Sequence, residues 1–215
     1  MVGGLWARAG WIYSASAVLC LSRSTDPRWA EIAVADLDAV LVDHAHCEMK
    51  AASNAISLAT RWPAPTGVAR ALAAVAEEEL VHFRDVLALL ERRGIELGRP
   101  EIDAYAADLR RAALASGDKS PRGSLADRLL VGALIEARSC ERFRLLADAL
   151  AALDDSLAPF YDDLFACEAR HYTTMVDLAV AVWGDERRVR ERLAVLAAAE
   201  GEIAARLGAR PAIHG

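Results

Sequence analysis

Apolar residues recur at alternating steps of three and four along most of this chain, the spacing of helices that bury one face. In one segment the series runs Tyr161, Leu164, Glu168, His171, Met175, Leu178 and Val182; in another it runs Leu72, Val75, Glu79, His82, Val86 and Leu89. Both carry a Glu and a His three residues apart, on one helical face, where the pattern calls for apolar side chains. A third series, Leu37, Leu41, His44, Glu48, Ala51 and Ala55, holds one carboxylate in its middle. So does a fourth, Leu129, Gly132, Glu136, Ser139 or Cys140, Phe143 and Ala147. Charges at such positions must be paired or bound to metal, because an unpaired buried carboxylate protonates or destabilises the fold.

Local punctuation places the ends of these helices. Asp26-Pro27 is a cap followed by a first-turn proline and opens a long helix to about Thr60, ended by Trp62-Pro-Ala-Pro65. Thr66 is expected to cap a second helix, which stops at Gly94 after Arg92 and Arg93. Residues 94–123 read as a long crossover with a short helix from Asp103 to Ala115. Ser124 with Asp127 starts a third long helix; a fourth begins near Ser156 to Pro159 and ends at Trp183-Gly184; Asp185 caps a fifth, to about Leu207. The pattern predicts an all-α fold, a four-helix bundle of the ferritin-like kind over about 26–183, with a long connection between its second and third helices. The C-terminal helix, about 185–207, would belong to the same single domain, 23–215. Residues 1–22 are expected to be an N-terminal extension. Their apolar run, Trp11 to Leu21 after Arg8, imitates a short signal peptide but is too short to span a bilayer as a helix. Leu19 also stands where a lipoprotein signal before Cys20 needs a small residue.

Composition narrows the classes. Hydrophobic residues make up 54% and aromatic residues only 6%, as in an alanine- and leucine-rich helical protein. Cys20, Cys47, Cys140 and Cys167 show no Cys-x-x-Cys spacing, so neither a zinc ribbon nor a rubredoxin-type iron site is encoded, and reduced thiols in a cytoplasmic protein are expected. A net charge of −6 argues against a non-specific nucleic-acid coat without excluding a local basic patch. Of the 25 basic residues only Lys50 and Lys119 are lysines, and arginine is the better bidentate partner for phosphate.

Glu48 precedes His82 by 34 residues and Glu136 precedes His171 by 35, an internal duplication of a helix pair that contributes Glu and then Glu-x-x-His. Four helices thereby project four carboxylates and two imidazoles to one level of the core, the ligand set of di-iron or di-manganese proteins. Glu79 and Glu168 are expected to bridge two metals, Glu48 and Glu136 to be terminal ligands, and His82 and His171 to take one metal each. His44 is expected to be a hydrogen-bonded core residue. Glu141 competes with Glu136 but lies about 140° away around the helix. Cys47, Cys140 and Cys167 read as small packing residues.

Four segments carry a resemblance beyond spacing: Asp43-His-Ala-His-Cys-Glu48 with Lys50-Ala-Ala-Ser53; Glu78-Glu-Leu-Val-His-Phe83; Gly132-Ala-Leu-Ile-Glu-Ala-Arg-Ser-Cys-Glu-Arg-Phe143; and Cys167-Glu-Ala-Arg-His171. From about Leu19 to Trp183 the chain resembles the tRNA hydroxylase family called MiaE, leaving the first twenty residues and the C-terminal helix outside the match. The resemblance implies a non-haem di-iron monooxygenase that hydroxylates the isopentenyl group of 2-methylthio-isopentenyl-adenosine beside the tRNA anticodon. It implies Glu48, Glu79, His82, Glu136, Glu168 and His171 as ligands of two iron ions, manganese being the lesser expectation. With no rubredoxin or flavin module, electrons would come from a separate ferredoxin or flavoprotein reductase. The anticodon loop of tRNA would be the partner, with Arg61, Arg92, Arg93, Lys119 and Arg122 as candidate phosphate contacts. No membrane association and a monomer or weak dimer are expected. The alternative reading is a ferritin-like di-iron oxygenase or oxidase acting on a small molecule or on iron itself.

Overall fold

The computed structural model describes residues 19–62, 65–151, 153 and 156–214; the N-terminal extension expected over 1–22 falls mostly outside them. Seven helices follow one another: α1 Arg28–Ala35, α2 Leu37–Arg61, α3 Thr66–Arg93, α4 Ala104–Ser116, α5 Pro121–Leu150, α6 Leu157–Trp183 and α7 Glu186–Leu207. Helices α2, α3, α5 and α6 form the four-helix bundle, with α2 packed mainly on α3 and α5 on α6. No described helix is long and apolar enough to cross a membrane.

Caps explain where the helices differ from expectation. The first long helix is two, because Asp36 leaves helical geometry (φ −136°, ψ 62°) and its carboxylate accepts the Ala39 N–H to start α2. Freed by that break, α1 lies against α5 and buries Trp29, whose Nε1 donates to the Ala212 carbonyl at 3.1 Å. Thr66 does not cap α3; it is the first helical residue, and the Pro65 carbonyl accepts the Val68 and Ala69 N–H groups. Helix α5 starts three residues earlier than expected, at Pro121, because the Ser120 hydroxyl accepts the Gly123 N–H at 3.0 Å. Asp127 is then free to pair with Arg192 of α7 at 2.7 Å.

The crossover and the C-terminal helix form a second layer. Gly94, at φ +69°, ends α3 in the left-handed region; α4 and α7 pack on each other and both lie on α5. Helix α5 is therefore covered on every side, and Arg138, Glu141 and Arg142 are buried along with its seam. The polar level of the bundle divides the apolar core in two. One half centres on Leu58, Leu72, Leu129 and Met175, the other on Leu41, Val86, Phe143 and Tyr161.

Candidate metal centre

All six residues singled out by the seam pattern meet at this level, one carboxylate from each bundle helix and one imidazole from each of α3 and α6. Glu48, Glu79, Glu136, Glu168 and His171 are at most 6% exposed. Ligand atoms of Glu48, Glu79, His82 and Glu168 lie within 4.8 Å of one another, and so do those of Glu79, Glu136, Glu168 and His171. Glu79 and Glu168 are common to both groups. The orientation of their oxygens explains why. Glu79 Oε2 is 3.4 Å from His82 Nδ1 while its Oε1 is 3.0 Å from His171 Nδ1. Glu168 Oε1 is 3.7 Å from His82 Nδ1 and its Oε2 is 3.4 Å from His171 Nδ1. Each carboxylate thus spans two imidazoles, with Glu48 on the His82 side and Glu136 on the His171 side.

The chemistry of the cluster calls for cations. Both oxygens of Glu79 and of Glu168 and the Nδ1 atoms of His82 and His171 are buried with no hydrogen-bond partner, and all six converge on the same space. Burial raises the Glu79 carboxyl above its ordinary range; burial and then the charges of Glu168 and Glu79 raise Glu136 well above it. Burial also penalises the Glu48 carboxylate, yet the hydrogen bond from His44 and the His82 imidazole 3.6 Å away hold it down at about 2. Burial disfavours imidazolium, but the sulfur and carboxylates around His82 outweigh it and push its pKa up to about 12; His171 is raised in the same way. Among the described residues, no arginine pairs with any of the six. Oxygen donors with two imidazole nitrogens fit a pair of divalent first-row ions such as iron or manganese.

A surrounding set of contacts fixes these groups. His44 is fully buried among Phe143, Phe160 and Tyr161, and its Nε2 lies 2.6 Å from Glu48 Oε1, a hydrogen-bonded core residue as expected. Glu141 points away and accepts from Thr25 and Arg138. Cys140 packs with its thiol donating to the Phe165 carbonyl. Cys167 is more than packing. Four residues before His171, it shares that face of α6, and its sulfur lies 3.8 Å from His171 Nε2 and 3.3 Å from Glu78 Oε2. Burial pushes this thiol up, but contacts with His171 and His82 bring it below its ordinary value. Glu78 itself lies 3.3 Å from His171 Nε2, on the side of the ring opposite the cluster.

A narrow cleft, with a cavity volume of about 50 Å³, leads from Glu48, Glu136 and Glu168 to the surface between α2, α4 and α5. Its depth is apolar, with Val131, Ile135 and Met175; its mouth carries Lys50, Asn54, Arg110 and Arg128, with one carboxylate, Asp103, which accepts the Ala106 N–H. Sequence reasoning gave these four no role, because α4 had no expected place over the bundle. Ile213 and His214 close one side. Of the expected phosphate contacts, Arg61 stands at the end of α2, and Lys119 and Arg122 at the start of α5, at one end of the bundle. Arg92 and Arg93 end α3 at the other, about 40 Å away on a rise of 1.5 Å per residue, and Arg93 pairs with Asp38 at 3.2 Å. The five do not form one surface.

Residues 14–215 match the family described as tRNA-(MS[2]IO[6]A)-hydroxylase (MiaE). The chain belongs to this family. The MiaE match includes α7 and the C-terminal tail, so the resemblance seen from Leu19 to Trp183 was drawn too short at its C-terminal end. A Pseudomonas putida protein named tRNA 2-(methylsulfanyl)-N(6)-isopentenyladenosine(37) hydroxylase is 41% identical over 179 residues, 83% of each chain. A Salmonella typhimurium protein of the same name is 36% identical over 116 residues, 54% of this chain and 40% of its own. Among solved structures, that of "Protein 43 with aldehyde deformylating oxygenase activity from Synechococcus" superposes with a TM-score of 0.81. It is 40% identical, over 91% of this chain and 95% of that one.

Proposed function

We propose that this MiaE-family chain is an oxygen-dependent hydroxylase of prenylated tRNA, adding one hydroxyl to the isopentenyl group of 2-methylthio-isopentenyl-adenosine beside the anticodon. The observation that carries this reading is the convergence of six buried donor atoms without partners at the head of a cleft whose depth is apolar and whose mouth is cationic. Glu48, Glu79, His82, Glu136, Glu168 and His171 would hold two iron ions, Glu79 and Glu168 shared between them. A bound iron pair supplies the two-electron activation of dioxygen, with the electrons delivered by a separate donor protein.

The chain's own residues do the rest. His44 fixes the Glu48 carboxylate through the 2.6 Å contact and is itself held by the ring of Tyr161, so this donor is oriented before any ion arrives. Glu78 aligns the His171 ring from its outer nitrogen. Val131, Ile135 and Met175 offer an apolar slot for a prenyl tail and exclude water around it. The modified nucleotide would leave the anticodon stack to enter this slot, as single-stranded RNA bases do in recognition sites.

The aldehyde deformylating activity named for the Synechococcus protein favours one further reading, an oxygenase of aldehydes on the same scaffold. An uncharged aldehyde gains nothing from Lys50, Arg110 and Arg128 at the mouth, whereas a polyanion does. Product analysis separates the two. Iron-loaded chain, oxygen and a chemical reductant are incubated with isopentenylated tRNA, and the nucleosides are weighed by mass spectrometry. A gain of one oxygen on the prenylated adenosine, absent with Glu79→Ala, is expected. An unchanged nucleoside together with consumption of a long-chain aldehyde overturns the reading.

A further inference from the structure

Most arginines of the outer layer are neutralised by a carboxylate. Arg188 pairs with Asp118 at 2.8 Å, Arg187 with Glu191 at 2.8 Å and Arg192 with Asp127 at 2.7 Å, and Arg111 and Arg206 both pair with Asp108. With 31 acidic residues against 25 basic ones, carboxylates are not scarce. Three arginines in and beyond the cleft nevertheless pair with none. Arg128 of α5 is partly buried, and its guanidinium donates to the Asn54 side chain of α2 at 2.9 Å. Arg110 of α4 lines the same cleft mouth. Arg61 lies seven residues beyond Asn54, two turns further along the same face of α2. The charges that act on Arg128 are those of Arg110 and Arg61, both positive; after burial, they pull its pKa below the ordinary arginine value. Among the described residues, none of the three forms an ion pair with a carboxylate.

Clustered, partly desolvated guanidinium groups repel one another unless an anion sits among them, and their planar donors match phosphate oxygens. Arg128 precedes Glu136 by eight residues on α5, about 12 Å along the axis, so the rim stands at a fixed height above the carboxylate cluster. That height suits a nucleotide whose phosphate rests on the rim while its base and prenyl tail reach down the cleft.

We propose that Arg61, Arg110 and Arg128, with Asn54 orienting Arg128, form a phosphate-binding rim that grips the backbone flanking the modified nucleotide of tRNA. This assignment rests on the functional reading above and supplies the specific contacts that it lacks. Lys50, one turn before Asn54 on α2 and with its Nζ 3.4 Å from the Glu101 carbonyl, adds positive charge to the same mouth. Arg92 and Arg93, at the far end of α3, take no part.

The test is equilibrium binding of an isopentenylated anticodon stem-loop RNA to the iron-loaded full chain, over a range of salt concentrations. Arg110→Ala and Arg128→Gln are each expected to weaken binding by roughly tenfold, and the slope of log affinity against log salt to fall by about 0.7 for each phosphate no longer engaged. Arg128→Lys should recover part of the affinity, and Arg92→Ala should leave affinity and slope at wild-type values. Arg110 lies on the outer helix α4, so Arg110→Ala reports on the rim even where an Arg128 variant folds poorly. Wild-type affinity and slope in both variants overturn the rim. A chain that oxidises the prenylated adenosine while those variants bind normally loses the rim and keeps the function. A chain that binds RNA through the rim but adds no oxygen loses the function and keeps the rim.

Discussion

Glu79 and Glu168 each turn one oxygen toward His82 and one toward His171, and this pairing decides what the centre can hold. Because the thiol and carboxylates around it keep His82 protonated up to about 12, and His171 is raised likewise, an arriving cation must displace protons from both rings. The sign follows directly: lowering the pH favours the proton over the ion. Iron affinity should therefore rise with pH between about 6 and 8, with proton release on binding, measured by titration calorimetry in buffers of different ionisation heat. Glu78→Gln removes the carboxylate behind His171 and should weaken iron affinity by about tenfold or more, read by chelator competition. As Glu78 is about half exposed, its loss should leave the unfolding midpoint nearly unchanged. The six-residue set was legible in the sequence because an apolar seam tolerates a charge only where it is paired or metal-bound. Cys167 was not, since its relation to the centre runs through His171, one helical turn on, rather than through its neighbour Glu168.

At the level of elements, the capping residues Asp103, Asp185 and Gly94 marked helix ends that the structure keeps. The break between α1 and α2 was invisible. The apolar period runs through Asp36 with no Pro or Gly, and it is the docking of Trp29 against the C-terminal tail that favours a new cap there. Helix α5 was read with one buried face because nothing in its sequence announces that α1, α4 and α7 cover the others. The consequence is a buried ionic group: Arg138 binds both oxygens of Glu200 at 2.9 Å, Thr25 at 3.0 Å and Glu141, while Tyr105 donates to Glu200 at 2.8 Å. Arg138→Met leaves two buried carboxylates without their cation and should cost about 3–5 kcal/mol in denaturant unfolding, with iron content per folded chain unaltered. The tail is held as firmly. The Ile213 N–H donates to Asp43 at 2.6 Å and its carbonyl accepts from Arg142 at 2.6 Å, with its side chain fully buried. Ile213→Ala should lower stability by about 2 kcal/mol or more in the same assay.

For the whole molecule, the second layer gives a four-helix bundle with a buried centre a cleft that opens between α2, α4 and α5. Helix α4 and the tail wall the cleft, and Arg110 and Arg128 stand where that cleft meets the surface. None of this could be read from periodicity, because it depends on where the crossover lands after it leaves the bundle. Under the proposed function, the six residues would hold two ions at the head of this opening, and those ions would supply the oxidising chemistry. The most direct test is to titrate the metal-free chain with ferrous iron and measure hydroxylated nucleoside from prenylated tRNA at each step. Product should climb with iron and level off at two ions per chain, and Glu79→Ala should give none at any loading. Full activity at one ion per chain, or activity retained by the variant, would contradict the assignment.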